Sequence, residues 1–492
     1  MPRSPRRLQG LANYVRSRRD SCQTPAHSTF GLVTGVTSQR KIDATGGSGK
    51  QHNGSVLSGG RENGPVHSFK SDLGLLKDRR FTLLLAARTI SVLGSAFAPV
   101  ALAFSILERF GKDATALSVV LTAEALPMVV FMLVGGVIAD RFPRQRVMMA
   151  GEVINALAFF ALAAMILTGW GSLPALATAA AVSGLSMAVI FPALTGIIPE
   201  VVPADRLQTG NALLGLGANS SRVAGAVLGG ATVSVFGGGW ALLVSGAMFA
   251  LAAVLIAALK LTPPARTPGG APGPAEKPGE RHSVLADLRE GWREFISRQW
   301  IWVVVAQFSL LVMAIQAGHG VLGPLLAATT MGGAPAWSAF LAGEAVGTIA
   351  GVLVSLRVRP RRPILVGVLL CFPTAVPYVL LAVHAPLWLI VAGAFVLGVS
   401  FDVFGVLWQT TMQREIPGDA LARVSSYDAL GSMMFGPIGL MVAGPVAAVF
   451  GTEATLLGCA GLVVLSTLAA LLSPAVRNLR APEPVPTPAS SS

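Results

Sequence analysis

Gly136-Val-Ile-Ala-Asp140-Arg141-Phe-Pro-Arg144-Gln-Arg146 closes one hydrophobic run and opens the next. A degraded copy returns 215 residues later as Gly351-Val-Leu-Val-Ser355-Leu356-Arg357-Val-Arg359-Pro-Arg361. A second pair, Pro203-Ala-Asp205-Arg-Leu207 and Pro417-Gly-Asp419-Ala-Leu421, is offset by 214. Two pairs at nearly one offset mean a duplicated chain. In each copy of the first pair a hydrophobic run, a short basic turn and another hydrophobic run follow without a break, the pattern of antiparallel membrane helices.

Working outward, the whole chain has this character. Its 492 residues are 53% hydrophobic and 12% charged, with a mean hydropathy of +0.65, a composition foreign to soluble domains. A bilayer core requires about 20 apolar residues per helix. Twelve runs qualify: 81–107, 116–139, 147–168, 173–198, 208–236, 240–261, 300–328, 335–356, 363–383, 387–411, 424–450 and 453–473. The expected fold is therefore all-α, twelve membrane helices in two pseudo-symmetric six-helix bundles, residues 76–261 and 300–475. Duplicated halves around a midplane cavity are a common plan of secondary transporters.

Charge gives the orientation. With both termini on the cytoplasmic side, the loops from Arg141 to Arg423 on that side hold 17 Lys/Arg, and the opposite loops hold Arg109 and Lys112. The positive-inside rule favours this assignment, with the cell membrane as location. It also accounts for most of the net charge of +13. The basic residues recur loop after loop and form no single patch, which argues against nucleic acid. Cys22, Cys371 and Cys459 lie far apart without a metal-ligand or disulfide spacing.

Residues 1–75 read either as a disordered basic tail touching anionic lipid or as sequence ahead of the true start. Residues 262–280 read as a Pro/Gly linker, and 476–492 as a second disordered tail. Between linker and seventh run, 283–298 carries Val284, Leu285, Leu288, Trp292, Phe295 and Ile296 on one stripe. That is an amphipathic helix, lying along the interface or simply connecting the halves.

No nucleophile elbow, phosphate loop, Walker motif or metal cluster is present in the sequence, so neither an enzyme nor a cofactor is expected. The working groups of such a chain are polar residues inside the spans, where burial is costly. Six ionisable residues stand out there: Arg88, Glu124, Glu152, Arg222, Glu344 and Asp402. Arg222 lies about 20 Å into its helix at 1.5 Å per residue, near the midplane. Glu124 and Glu344 sit in the second and eighth spans, counterparts in the two halves. A carboxyl group held in a low dielectric can load and release a proton near neutral pH. Glu124, Arg222, Glu344, Asp402 and Arg88 are thus candidates for proton coupling or substrate contact. Glu152 and Arg88 sit nearer the basic side, where snorkelling is an alternative. His319 reads as a packed polar residue or a further titrating group. Asp140, set between a helix end and Arg141, Arg144 and Arg146, can latch the basic side by accepting from a neighbouring helix N-terminus.

Gly136-x-x-x-Asp140-Arg141-x-x-Arg144-x-Arg146 resembles the loop 2–3 signature of the major facilitator superfamily, and the resemblance covers residues 75–475. Ile198-Pro199-x-x-x-Pro203-x-Asp205-Arg206-Leu207-x-x-x-Asn211-Ala212 is similar to the branch of siderophore and macrolide exporters. So are Gln409-x-x-x-Gln413-x-x-Ile416-Pro417, Arg423-Val424-Ser425-Ser426 and the linker helix running into Gly291-Trp292. The resemblance implies proton-driven efflux of a small amphipathic molecule by alternating access, with Asp140 and Arg144 as a gating charge relay. Ser221-Arg222-Val-Ala-Gly225-Ala226-Val-Leu-Gly229-Gly230 resembles the exporter motif of the fifth span, but Ala226 stands where a proline is usual. Gly225, Gly229 and Gly230 still permit close helix packing, and Gly436-Pro437 provides a bend in the eleventh span. The implied partners are a substrate, protons and lipid, with the chain as a monomer. An importer of the same fold, or a membrane protein that handles or senses lipid without transport, are the alternatives.

Overall fold

The structure is a computed structural model that describes residues 73–203, 206–259 and 284–480. Linker, basic tail and C-terminal tail fall mostly outside those residues. The last part of the expected tail is ordered: Leu73–Lys77 forms a 3-10 turn, and Leu75 is buried beside Phe81 and Leu84.

The first half contains α1 (Arg79–Arg109), α2 (Ala114–Arg141), α3 (Arg144–Thr168), α4 (Leu173–Val201), α5 (Leu207–Phe236) and α6 (Gly238–Ala257). Asp78 and Asp113 cap α1 and α2, each accepting from the backbone N–H two residues on at 2.8 Å, which satisfies a donor the helix leaves unpaired. Gly169 ends α3 at φ 76°, a left-handed position glycine adopts freely. The guanidinium of Arg109 donates to the carbonyls of Gly169 and Gly171 at 2.6–3.0 Å, so one of the two cations on that face ties α1 to the α3–α4 turn.

After α7 (Val284–Ser297) the second half holds α8 (Gln299–Thr330), α9 (Ala334–Ser355), α10 (Pro363–Ala382) and α11 (Leu387–Glu415). The eleventh span divides at Phe435 into α12 (Gly418–Met434) and α13 (Gly436–Phe450), with Pro437 in the first turn of α13, and α14 (Thr452–Leu472) completes the bundle. Two further spans are irregular: α8 carries a π-helical segment at Ala317–Leu322, and α10 a 3-10 turn at Phe372–Ala375. The stripe of α7 docks through Trp292 and Phe295, whose rings lie 5.5 and 6.0 Å from Tyr427 of α12. The side chains of Val284, Leu285 and Leu288 lie outside the described residues.

Among the described residues, eleven helices are long and apolar enough to cross a membrane. The fifth span, α5, is missing from that set although it is thirty residues long. Asn211, Asn219, Ser220, Ser221 and Arg222 make it the polar helix of the fold.

The halves meet at the ends of their helices remote from the Asp140–Arg146 turn. Gly230 of α5 brings its backbone against Ser338 and Ala334 of α9. Gly444 of α13 lies on Ala114 and Ser118 of α2, its N–H donating to Ser118 Oγ at 2.8 Å. Gly320 of α8 faces Leu121 and Leu440. Along α2 the buried contact positions Ala114, Ser118 and Leu121 give way to half-buried Ala125, Met128 and Met132. The seal is therefore on the far side, and a cleft opens toward the arginine-rich turns.

Candidate functional site

Three groups of charged side chains lie within and at the ends of the bundles. The first is at the α2–α3 turn. Arg144 opens α3, and its Nη1 donates to the Gly196 carbonyl at 2.8 Å and pairs with Glu200 Oε1 at 3.1 Å, both on α4. Gly196 is required for this approach, because a Cβ there would collide with the guanidinium. About a third of each partner's side chain is exposed, so the pair contributes at most about 1 kcal/mol. Gln145 donates to the Ile256 carbonyl at 2.8 Å and ties the turn to α6. Arg141 and Arg146 are exposed. Asp140 lies in the last turn of α2; its side chain is outside the described residues. Around Gly136 a Cβ would meet nothing.

The second group is a polar layer through the first bundle. Glu152 of α3 is 1% exposed and accepts from Ser91 Oγ of α1 at 2.7 Å. Its other oxygen has no hydrogen-bond partner among the described residues. Burial between α1 and α3 places Glu152 beyond snorkelling. Arg88, one turn before Ser91, feels the charges of both Arg222 and Glu152. Ser221 Oγ donates to the Thr89 carbonyl at 2.9 Å and holds α5 level with this part of α1. Asn155, three residues past Glu152, continues the layer: Ser183 Oγ of α4 donates to its Oδ1 at 2.8 Å and lies 3.4 Å from Glu124 Oε1 of α2. Gly184 lets the α4 backbone rest on that of Glu124.

The third group is in the second bundle. The π-segment of α8 turns His319 toward α9, with Nε2 at 3.9 Å from Glu344 Oε2. Phe340 and Tyr378 rings surround the imidazole at 5.2 and 5.8 Å, and Gly318 gives Tyr378 its space. The Tyr378 hydroxyl and His319 Nε2 are buried without hydrogen-bond partners among the described residues. Asp402 of α11 packs its Cβ on Gly351 of α9, and its buried Oδ2 has no hydrogen-bond partner among the described residues. Asp428 of α12 accepts from Trp408 Nε1 at 3.1 Å and Ser432 Oγ at 3.3 Å.

The packing glycines divide by partner. Gly225 approaches Ala96 and the Leu93 carbonyl, Gly229 touches Phe97, and Gly230 reaches across to the other bundle. A groove of about 820 Å³ lies between α5, α9 and α11. Its walls, among them Val227, Ala231, Ala339, Trp388 and Phe395, contain none of the charged candidates. The described residues contain no grouping of side chains fit to hold a metal ion.

Several of these residues escaped sequence reasoning. Glu200 lies just beyond the expected end of the fourth span, and nothing local marks it as the Arg144 partner. Ser91, Asn155 and Ser183 acquire their roles only through contacts between helices. Asp428 was open to detection as a carboxylate four residues into the eleventh run, although its indole partner was not.

The chain matches the Major Facilitator Superfamily over residues 84–439. The enterobactin exporter EntS of Citrobacter koseri is 28% identical, over 85% of this chain and 98% of that protein. The multidrug efflux pump Tap of Mycobacterium tuberculosis is 26% identical, over 81% and 94% respectively. Among solved structures, the nucleoside transporter NupG superposes with a TM-score of 0.65 at 14% identity, over 82% of this chain and 100% of that one. A bacterial homolog of the human lysosomal transporter Spinster, solved inward-facing and unoccupied, gives 0.58 at 17% identity, over 82% and 98%.

Proposed function

Because the chain belongs to the Major Facilitator Superfamily and is a multi-pass membrane transporter of small molecules, not an enzyme, we propose that it exports a small amphipathic molecule by proton antiport. The observation that carries this reading is a set of carboxylates inside the membrane beside a cleft open at one end only. Glu124 and Glu152 lie in the first bundle, and Glu344 lies within 3.9 Å of His319 in the second. Placing such groups in hydrocarbon is costly, and a proton or substrate role accounts for them. Export, as opposed to import, is supported by the kinship to EntS and Tap and by the exporter-like fifth span.

The arginine-rich side is cytoplasmic by the positive-inside rule, which puts both termini inside and the chain, a monomer, in the cell membrane. The cleft then faces inward, and cargo enters from the cytoplasm or the inner leaflet. Rocking of the bundles about the polar layer closes the inner end and opens the outer one. Glu344 and Glu124 load a proton from outside, which resets the carrier, and no cofactor other than the proton gradient is needed. Arg144, held by Glu200 on one side and near Asp140 in sequence, belongs to the inner latch. The space around Gly136 is where the second bundle arrives on closure.

The test is accumulation of a lipophilic fluorescent dye in cells, with and without a protonophore, beside Asp140→Asn and Arg222→Ala. Gradient-driven export predicts less dye in cells with the wild type, restored by the protonophore and by either substitution at equal expression. Dye levels equal to those of empty cells in every arm would sink broad export.

A further inference from the structure

In the first bundle two arginines, Arg88 and Arg222, stand beside one carboxylate, Glu152. Arg88 forms neither a hydrogen bond nor an ion pair among the described residues; its charged neighbours are Arg222, a second cation, and Glu152. Arg222 has one weak bond, from Nη1 to Asn219 Oδ1 on its own helix at 3.4 Å. Among the described residues Glu152 is the one carboxylate that acts on Arg88. One of its oxygens is already occupied by Ser91, and its single charge can offset only one of two guanidinium groups. Two arginines held beside one carboxylate repel each other, and an anion placed between them relieves that repulsion. A guanidinium also presents a planar fork matched to carboxylate, sulfonate or phosphate oxygens.

Arg222 faces the cleft and not lipid. On α5, Ser221 and Gly225 pack on α1. The adjacent ridge runs Arg222, Ala226, Gly230, four residues apart, and aims at the second bundle. At its far end Gly230 touches Ser338 of α9 and Ala226 is buried, whereas Arg222 is exposed. The same ridge thus passes from sealed contact into the open cleft, and Arg222 stands where the second bundle has drawn back. Arg222 is midway along α5, and the Ser221–Thr89 bond brings Arg88 to the same level.

We infer that Arg88 and Arg222 form an anion-binding subsite in the cleft, so that the transported molecule carries an acidic group, a carboxylate, sulfonate or phosphate, on an apolar body. This rests on the transporter reading and narrows its cargo. The apolar part of the ligand lies along the small-residue walls of the cleft while the acid replaces the missing counter-charge. With no ligand bound, Glu152 supplies partial compensation.

The test uses purified full-length protein in lipid nanodiscs without any gradient, so its outcome is independent of whether export is proton-driven. Fluorescence anisotropy compares a lipophilic xanthene dye bearing a free carboxylate with its methyl ester. The subsite predicts about tenfold tighter binding of the acid. Arg88→Gln and Arg222→Gln each remove most of that preference, read as the ratio of acid to ester affinity within each variant, and Arg222→Lys retains part of it. Equal affinity of acid and ester for the wild type, including equal failure to bind, overturns the proposal, whether or not the variants fold. So does a preference that survives both glutamine variants. A cell assay showing no gradient-driven export alongside a clear acid preference would sink the antiport reading and leave the subsite intact.

Discussion

Glu152 shows how much one buried atom decides. Its carboxylate lies between Ser91 and the field of Arg88, so its negative charge competes with any acidic ligand for the arginines. Glu152→Gln keeps an oxygen for Ser91 and removes the charge. The acid dye should then bind several-fold tighter, read by the same anisotropy titration, and unchanged binding would exclude Glu152 from the subsite. At the latch, Gly196→Ala places a Cβ on the Arg144 guanidinium. The obstacle is the flexible end of a side chain, so stability changes little, but the bond to the Gly196 carbonyl is lost. Both Gly196→Ala and Glu200→Gln should alter export rate by a few-fold, in line with a partly exposed pair worth at most about 1 kcal/mol. Rates equal to wild type in the dye assay would remove the pair from the latch.

At the scale of the elements, the sequence was most informative where hydrophobicity starts and stops. The runs 81–107 and 173–198 became Arg79–Arg109 and Leu173–Val201, because a bilayer-crossing helix must be apolar along its length and polar at its ends. Hydropathy has no way of registering backbone irregularity within an apolar run. The π-segment that aims His319 and the 3-10 turn of α10 both lay unseen inside single runs. Gly436-Pro437 marks where the eleventh span divides, but proline alone is no sure sign of a break, since Pro99, Pro127, Pro192 and Pro445 sit within unbroken helices. The charges of the site were legible as misfits in hydrocarbon; their partnerships depend on which helix faces which, and a periodicity does not encode that. Trp292 on α7 illustrates the difference: the stripe was visible, its docking on Tyr427 was not. Trp292→Ala should lower stability by about 1–2 kcal/mol through the lost aromatic packing, seen as a lower melting temperature of the purified protein. No change would make α7 a mere connector.

For the whole molecule, export by alternating access requires two arrangements of the same bundles. The far side is sealed by backbone approaches at Gly230 and Gly444, where even a small side chain has no space. Gly444→Val sets a branched side chain against the Ala114 carbonyl, and should hold the outer side open. In a background lacking native cysteines, Leu121→Cys, at a position 9% exposed, should then react with an impermeant maleimide several-fold faster, and an unchanged rate would contradict the assignment of this contact as the seal. In the proposed antiport, a proton gradient drives cargo through that alternation. The direct measurement is uptake of the acid xanthene dye into proteoliposomes with an acidic lumen, against protein-free liposomes. Coupling predicts accumulation several-fold above that baseline, abolished by a protonophore and absent when the two sides are at equal pH. Protein-dependent uptake that is the same with and without the gradient would identify a passive facilitator and contradict the account.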